Sequence, residues 1–139
     1  MIRYGLFCLG PVNYAVPLLQ LRKVVHADPG FLLPQLPSAV AGVLVDEGRL
    51  VPLLRLAFLS GGSESTVRQA EYKVIVESAG GRIALPAVLV CGVVAENKGA
   101  LLVSEEKQIP GIIGIFNYQG QEFNVLDIDF LAIEMTRRV

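Results

Sequence analysis

Residues 40–59 read VAGVLVDEGRLVPLLRLAFL, and residues 112–131 read IIGIFNYQGQEFNVLDIDFL. Aligned without gaps at an offset of 72, the two stretches have five identical residues in twenty positions. The identical pairs are Gly42/Gly114, Gly48/Gly120, Leu54/Leu126, Phe58/Phe130 and Leu59/Leu131. Other positions keep apolar character, as Val40 and Ile112 do. The two stretches therefore look like copies of one structural unit.

A second match precedes the first in each half of the chain. At an offset of 69, the aligned pairs are Ala15/Ala84, Pro17/Pro86, Val24/Val93 and Val25/Val94. Because both matches occur in the same order, they indicate an ancient internal duplication. We expect one domain over residues 1–139, with sequence halves near 1–66 and 67–139.

Short apolar runs bounded by turn residues predict β-strands in both halves. The runs are YGLFCL (4–9), LRKVVHA (21–27), AGVLVD (41–46), RLVPLL (49–54), YKVIVES (72–78) and FNVLDI (123–128). Hairpin turns are predicted at Gly10-Pro11-Val12-Asn13, Glu47-Gly48, Gly80-Gly81 and Gln119-Gly120. Four or five short strands per half cannot bury both faces as an open sheet. The predicted fold is therefore all-β, with two small barrels.

One helix and two loops complete the prediction. Asp127 or Asp129 can cap a short helix that runs through Met135 and ends near Arg137 and Arg138. Three prolines make residues 28–39 a loop, and the polar residues 60–70 form the natural connector between the halves.

The composition excludes several classes of protein. Hydrophobic residues make up 53% of the chain and charged residues 18%, so the chain can fill a core and is not disordered. A net charge of -1 supplies no cationic face for nucleic acid or anionic membranes. Residues 4–21 are uncharged, but their glycine and prolines argue against a membrane span or a signal peptide. Cys8 and Cys91 lie in apolar runs, which predicts buried free thiols and a reducing, cytoplasmic setting.

Candidate catalytic and metal-binding groups are few, and each has a simpler interpretation. His26 and Asp28 lack a positioned nucleophile, so a surface histidine is expected. Helix capping explains Asp127 and Asp129 better than a metal site does. The glycines of residues 60–63 lack the lysine of a phosphate loop, and residues 105–107 read as a solvated charged loop. We expect no enzyme, no metal and no cofactor.

Apolar surface is the remaining candidate for function. Leu21 aligns with Val90 at the offset of 69, and Val93 lies on the same predicted strand as Val90. Each of the three is as compatible with a core position as with a surface one. A groove between such equivalent strands would suit a partner's helix.

The order of these motifs resembles the CheW-like family, the coupling proteins of bacterial chemosensory arrays. The resemblance covers nearly the whole chain. It is carried by FCLGPVNYAVPLLQLRKVV, LLPQLPSAVAGVLVDEGRLVPLLRL, YKVIVESAGGRIALPAVLVCGVV and GIIGIFNYQGQEFNVLDIDFL. The most specific parts are Leu36-Pro37 through Gly42-Val43, the hairpin from Gly48 to Val51-Pro52, and Leu126-Asp127 before the last helix.

The resemblance implies two five-stranded, SH3-like barrels that are intertwined, so that the strands of one barrel need not be contiguous in sequence. It also implies a non-catalytic adaptor that couples chemoreceptors to a CheA-type histidine kinase. Its partners would be the kinase regulatory domain and the cytoplasmic tip of chemoreceptors, which is a helical hairpin. By position, Leu21, Val90 and Val93 would be the apolar residues that face the receptor.

The chain departs from the family at a charge pair. The family usually has a glutamate on the strand after the first proline-bearing segment and an arginine in a later hairpin, paired as a salt bridge. This chain has Lys23 and Glu47 at those places, and Arg55 where the family has an aspartate. We hypothesise that Lys23 and Glu47 still meet and that the reversed polarity tunes partner choice.

Two other functions stay open from the sequence. One is a small duplicated β-barrel enzyme or small-molecule-binding protein, since barrels host many functions. The other is a CheW-like assembly factor of a non-flagellar, pilus-type system, which the replacements at Lys23 and Glu47 make plausible.

Overall fold

The computed structural model describes residues 1–26, 35–56, 70–103 and 109–135. Several expectations fall outside these residues. They concern Asp28, the loop over 28–34, the connector over 60–69 with its glycines, residues 105–107, and Arg137 and Arg138.

The described residues form eleven strands in two sheets and one short α-helix. The strands are β1 (Arg3–Leu9), β2 (Val12–Pro17), β3 (Leu21–His26), β4 (Val40–Asp46), β5 (Arg49–Leu54), β6 (Tyr72–Ser78), β7 (Gly81–Ala87), β8 (Leu89–Ala95), β9 (Ala100–Leu102), β10 (Ile112–Tyr118) and β11 (Gln121–Leu126). The helix α1 spans Ile128–Met135, and a 3-10 turn spans Glu96–Lys98. One sheet has the order β8-β1-β2-β11-β10-β9, and the other has the order β3-β6-β7-β5-β4. The predicted all-β class with a C-terminal helix is confirmed, and the three-residue β9 gives one sheet a sixth strand.

The strands of each sheet come from both halves of the sequence. The five-stranded sheet joins β3, β4 and β5 to β6 and β7, which follow the connector. The six-stranded sheet joins β1 and β2 to the four strands from β8 to β11. The two halves are therefore interleaved.

The duplication read from the sequence is repeated in the strand register. In the six-stranded sheet Ala15 pairs with Val125 across parallel strands, and in the other sheet Ala84 pairs with Leu53 in the same way. Ala84 is the offset-69 equivalent of Ala15, and Val125 is the offset-72 equivalent of Leu53. Each sheet therefore brings together one member of each sequence match.

The β4–β5 and β10–β11 hairpins turn in the same way. Glu47 and Gly48 have φ of 52° and 75°, and Gln119 and Gly120 have φ of 50° and 75°. Two successive positive φ values define the tight turn that matches strand twist, and glycine at the second position adopts it without steric cost. The predicted turns at these two sites are confirmed.

Among the described residues, three apolar clusters make up the core. The largest lies between the two sheets and holds Phe7, Tyr14, Leu54, Val76, Leu85 and Leu126 among others. Each sheet also encloses a smaller cluster. One contains Leu6, Ala15, Phe116, Phe123 and Val125, and the other contains the equivalent residues Ile75, Ala84, Leu44, Val51 and Leu53.

Helix α1 is capped by Asp127, one of the two predicted candidates. The Asp127 carboxylate accepts a hydrogen bond from the Phe130 amide at 3.2 Å, which satisfies one of the free donors at the helix start. The Asp129 carboxylate instead accepts from the amide of Ala79 at 2.8 Å, in the β6–β7 turn. The two carboxylates therefore serve different parts of the fold.

Candidate partner-binding site

The three predicted groove residues lie beside strand β1. A Cβ placed on Gly5 would lie 2.7 Å from Cδ1 of Leu21, so Leu21 occupies the space beside this glycine. On the neighbouring strand, Val93 lies opposite Gly5 and Val90 lies opposite Phe7. Since directly opposite residues share a face of the sheet, all three side chains belong to one surface.

This surface is apolar and open. The exposed fraction is 37% for Val90 and 55% for Val93, and Leu21 is half-buried at the border of the central core. We call Leu21, Val90 and Val93 the groove. Their proximity is a feature of the structure, whereas their role in binding a receptor stays a prediction.

Strand β8 exposes more than the sequence indicated. Leu89 and Cys91 are exposed along with Val90 and Val93, and Val88 just before the strand is exposed as well. The prediction of a buried thiol at Cys91 was wrong, because β8 is an outer strand of its sheet and both of its faces reach the surface. Cys8, which is half-buried, and Cys91 are both free thiols. The long apolar run imitates a core strand.

Lys23 and Glu47 do meet, but within a larger network. Nζ of Lys23 lies 3.5 Å from Oε1 of Glu47 and only 2.6 Å from Oδ1 of Asp46. Nη1 of Arg82 lies 2.9 Å from Oε2 of Glu47 and 3.2 Å from Oδ2 of Asp46. Sequence reasoning missed Asp46 and Arg82, because only the pairing of distant strands brings them together. We call Lys23, Asp46, Glu47 and Arg82 the charge network.

The members of the charge network differ in exposure. The side chain of Asp46 is only 9% exposed, and that of Glu47 is 62% exposed. Asp46 therefore binds the two cations at the buried side of the network, and Glu47 lies at its exposed side. A second ion pair, Arg22 with Glu77, lies beside it, and Glu77 is the cross-strand neighbour of Arg82.

The network stabilises the charged form of its exposed members. The hydrogen bond from Lys23 to Asp46 raises the pKa of Lys23 above its ordinary value. The hydrogen bond from Arg82, followed by the charge of Lys23, lowers the pKa of Glu47. Glu47 raises the pKa of Arg82 in turn. These three groups therefore stay ionised throughout the neutral range.

The charge network links the two edges of its sheet. Lys23 lies on β3 and Asp46 ends β4, and these are the outer strands of the five-stranded sheet. In the six-stranded sheet the equivalent positions hold Gly92 and Tyr118, which carry no such pair. An ion pair between side chains thus joins the two edge strands of the five-stranded sheet.

The other candidates for chemistry have structural explanations. His26 is exposed, as expected, and its Nε2 lies 3.7 Å from Oε2 of Glu71. Within the described ranges, no three histidine, cysteine, aspartate or glutamate side chains converge as a metal site would require. No described helix has the length and apolar character needed to cross a membrane.

Two buried polar residues at equivalent positions were not foreseen. Lys73 lies inside the five-stranded sheet, where Nζ donates to the Ala70 carbonyl at 2.5 Å, and burial lowers the pKa of its amine. Tyr4 lies at the same position in the six-stranded sheet, and its hydroxyl donates to Glu96 at 3.0 Å. Burial, aided by Glu96, raises the pKa of Tyr4 to about 12.

Interleaved sheets with equivalent registers and an exposed apolar strand define a duplicated β-fold. A model of the CheW-like domain family matches residues 3–134, and the chain belongs to that family. Among solved structures, the chain is similar to the scaffolding protein TtCheW from Thermoanaerobacter tengcongensis, with a TM-score of 0.81 at 18% identity. That similarity covers 99% of this chain and 97% of TtCheW. None of the curated protein sequences matches the chain.

Proposed function

We propose that this protein is a cytoplasmic, non-catalytic adaptor that couples chemoreceptors to a CheA-type histidine kinase. It would bind the helical tip of the receptor and the regulatory domain of the kinase, without inserting into the membrane or binding nucleic acid. Membership of the CheW-like family supports the class of function. The open groove formed by Leu21, Val90 and Val93 is the observation that carries the proposal.

The groove suits a helical partner on chemical grounds. An amphipathic helix buries its apolar face most readily against an exposed apolar surface that lacks charges. β8 provides such a surface, because its run from Leu89 to Ala95 contains no charged side chain. Leu21 reaches the same surface from the other sheet and so links the two sheets at the groove.

The charge network would select the partner. Lys23 and Leu21 both lie on β3, but Lys23 pairs with Ile75 and Leu21 with Val76, so the two side chains face opposite sides of the sheet. The network would therefore contact a part of the partner that extends beyond the groove. Compared with the family pair, the cation and the anion have exchanged strands. We therefore expect a partner with the opposite charge pattern, as in a divergent chemosensory system with a pilus-type output.

The same charge exchange favours one second candidate. This candidate is a CheW-like assembly factor of a non-flagellar, pilus-type system that no longer couples a kinase. The small duplicated enzyme or small-molecule-binding protein is not favoured, since the family consists of scaffold proteins.

Binding of purified receptor-tip and kinase-regulatory fragments from the same organism tests the proposal. We expect a dissociation constant in the micromolar range, roughly 1–100 μM, as for small transient interfaces. Val93→Glu should weaken receptor binding at least about tenfold, because it places a charge in an apolar contact. Ile133→Glu is the matched control, since Ile133 is 57% exposed on α1 and lies outside the groove. If neither fragment binds the wild-type chain, the proposed coupling is wrong.

A further inference from the structure

The chain contains two cysteines, and both lie where β1 pairs with β8. Cys8 is directly opposite Leu89, and Cys91 lies two residues further along β8. The register shifts between Phe7, opposite Val90, and Leu6, opposite Gly92. Cys91 is therefore the extra residue of a β-bulge, and it is the diagonal neighbour of Cys8.

The other copy of the duplicated unit shows how side chains at the positions of Cys8 and Cys91 can be placed relative to each other. The offset-69 equivalents of Cys8 and Cys91 are Glu77 and Arg22. They occupy the same places in the β3–β6 pairing, where Arg22 is also the residue skipped by the register. The side chains of Arg22 and Glu77 form an ion pair across the two strands. The ion pair places side chains at these two positions on one side of the five-stranded sheet, and the same skipped residue at Cys91 favours that arrangement for Cys8 and Cys91.

The two thiols are close enough to affect each other. Burial raises the pKa of Cys91, and the charge of Cys8 raises it further. Cys91 is nonetheless exposed and Cys8 is half-buried, so an external thiol reagent reaches Cys91 first.

Forming a bond between the thiols requires a small movement of β8. Diagonal neighbours on paired strands have Cα atoms about 7–8 Å apart, whereas a disulfide needs about 4.4–6.8 Å. β8 is an outer strand whose described partner is β1 alone. Gly92, next to Cys91, has φ of 114°, a conformation that glycine adopts more readily than other residues.

We infer that Cys8 and Cys91 form a redox-sensitive pair that closes to a disulfide when a low-molecular-weight disulfide is in excess. The Cys91 thiol loses its proton, and its thiolate attacks one sulfur of the reagent. A mixed disulfide forms, and the first reagent thiolate leaves. The Cys8 thiol then loses its proton, and its thiolate attacks the Cys91 sulfur and displaces the second reagent thiolate. The two protons end on the two released thiols, so one disulfide is reduced as one is formed.

Closure would act on the groove. Cys91 lies between Val90 and Val93, so drawing it toward Cys8 changes the spacing of both valines over β1. This consequence for partner binding rests on the proposed function, whereas closure of the disulfide does not. In the reduced cytoplasm the pair would stay open, and oxidation would weaken attachment of the helical partner.

Oxidised glutathione added to the full-length reduced protein tests closure. We expect both thiols to disappear together, with a mass loss of about 2 Da, no glutathione adduct and one peptide linking Cys8 to Cys91. The rate should rise about tenfold from pH 7 to pH 8, since the thiolate fraction rises tenfold per pH unit below the pKa.

Two single variants make the result decisive. Cys8→Ser should stop at the mixed disulfide on Cys91, because the resolving thiol is gone. Cys91→Ser should react more slowly, since Cys8 is less exposed. If wild type accumulates the same adduct as Cys8→Ser, or forms only disulfide-linked dimers, the inference is wrong.

Binding of the receptor-tip fragment separates the two claims. We expect the oxidised protein to bind at least about threefold more weakly than the reduced protein, and Cys8→Ser treated in the same way to keep its affinity. Equal affinity in both states would overturn the regulatory consequence. If the disulfide forms but neither state binds, closure stands and the proposed function fails.

Discussion

In the five-stranded sheet, Lys23 on one outer strand reaches Asp46 on the other, whereas the equivalent positions of the six-stranded sheet hold Gly92 and Tyr118. The register of the β1–β8 pairing nevertheless repeats that of β6–β3, and the β4–β5 and β10–β11 turns have the same backbone geometry. The backbone of the duplicated unit has thus been kept while its side-chain chemistry has diverged. One sheet carries the charges that would select a partner, and the other carries the apolar strand that would hold it.

Outer strands show the divergence most clearly. β3 alternates between half-buried and exposed residues and carries Arg22 and Lys23, which protect its edge from unwanted pairing. β8 has no charged residue and is exposed over most of its length. Exposed apolar surface of this kind is retained where a partner covers it.

The largest expected effect tests whether the two sheets contribute equally to the shared core. Leu54 and Leu126 are equivalent, fully buried and members of the central cluster. Leu54→Ala and Leu126→Ala should each lower the free energy of unfolding by about 2–5 kcal/mol, measured by urea denaturation. Leu19→Ala, at a fully exposed position, should change it by less than about 0.5 kcal/mol. A negligible effect of either core variant would contradict the equivalence.

A smaller effect is expected at the bulge where the two sheets differ. Gly92 has φ of 114°, and an added Cβ would meet no atom within 4 Å, so Gly92→Ala is opposed by backbone strain alone. We expect a loss of about 1–3 kcal/mol in thermal or urea unfolding. Gly80→Ala, where the Cβ meets only an ordinary contact, is the control and should be nearly neutral. If both variants were equally stable, the strain at Gly92 would be refuted.

The equivalent residues Lys73 and Tyr4 should give opposite pH dependences. The pKa of Lys73 is lower in the folded state, so the unfolded state binds more protons and stability rises with pH toward the ordinary lysine pKa. The pKa of Tyr4 is raised from 10.0 to about 12, so its stabilisation is present below pH 10 and is lost between pH 10 and about 12.

Urea unfolding of two variants separates these contributions. Lys73→Met should abolish the rise in midpoint as the pH approaches the ordinary lysine pKa, and Tyr4→Phe should reduce the fall above pH 10. Unchanged pH profiles in both variants would show that neither group titrates differently on folding.

The smallest effect concerns the charge network. Reversing Lys23 or Glu47 alone should weaken partner binding roughly two- to fivefold. The structure refines the expected recovery in the double variant, because Lys23→Glu faces the anchored Asp46 whatever stands at position 47. Lys23→Glu should therefore be worse than Glu47→Lys, and reversing both should recover only part of the affinity. Titration calorimetry at low and physiological salt measures these affinities. Full recovery in the double variant would show that Asp46 does not affect partner binding.

Much of the fold could be predicted because it follows from local sequence patterns and from the internal repeat. Identical glycines at positions 48 and 120 and matched apolar residues revealed the duplicated hairpins, and Asp127 before an apolar run revealed the helix start. The interleaving of strands came from the family resemblance, because nothing local states which strands pair.

The site was less predictable, since it depends on contacts between distant strands. Asp46 and Arg82 are 36 residues apart in the sequence, and only the pairing of distant strands brings them together. The apolar run at β8 favoured a buried strand, and its exposure follows only from its outer place in the sheet. An apolar run without alternating polar residues does not distinguish a core strand from an exposed strand that would bind a partner.

Hydrogen–deuterium exchange of the protein with and without the receptor-tip fragment tests the central claim most directly. If a helical partner binds in the groove, amides of residues 89–94 on β8 should exchange more slowly in the complex. The exchange rates of residues 112–118 on β10 should not change. Protection confined to β10, or binding without protection of β8, would contradict the account.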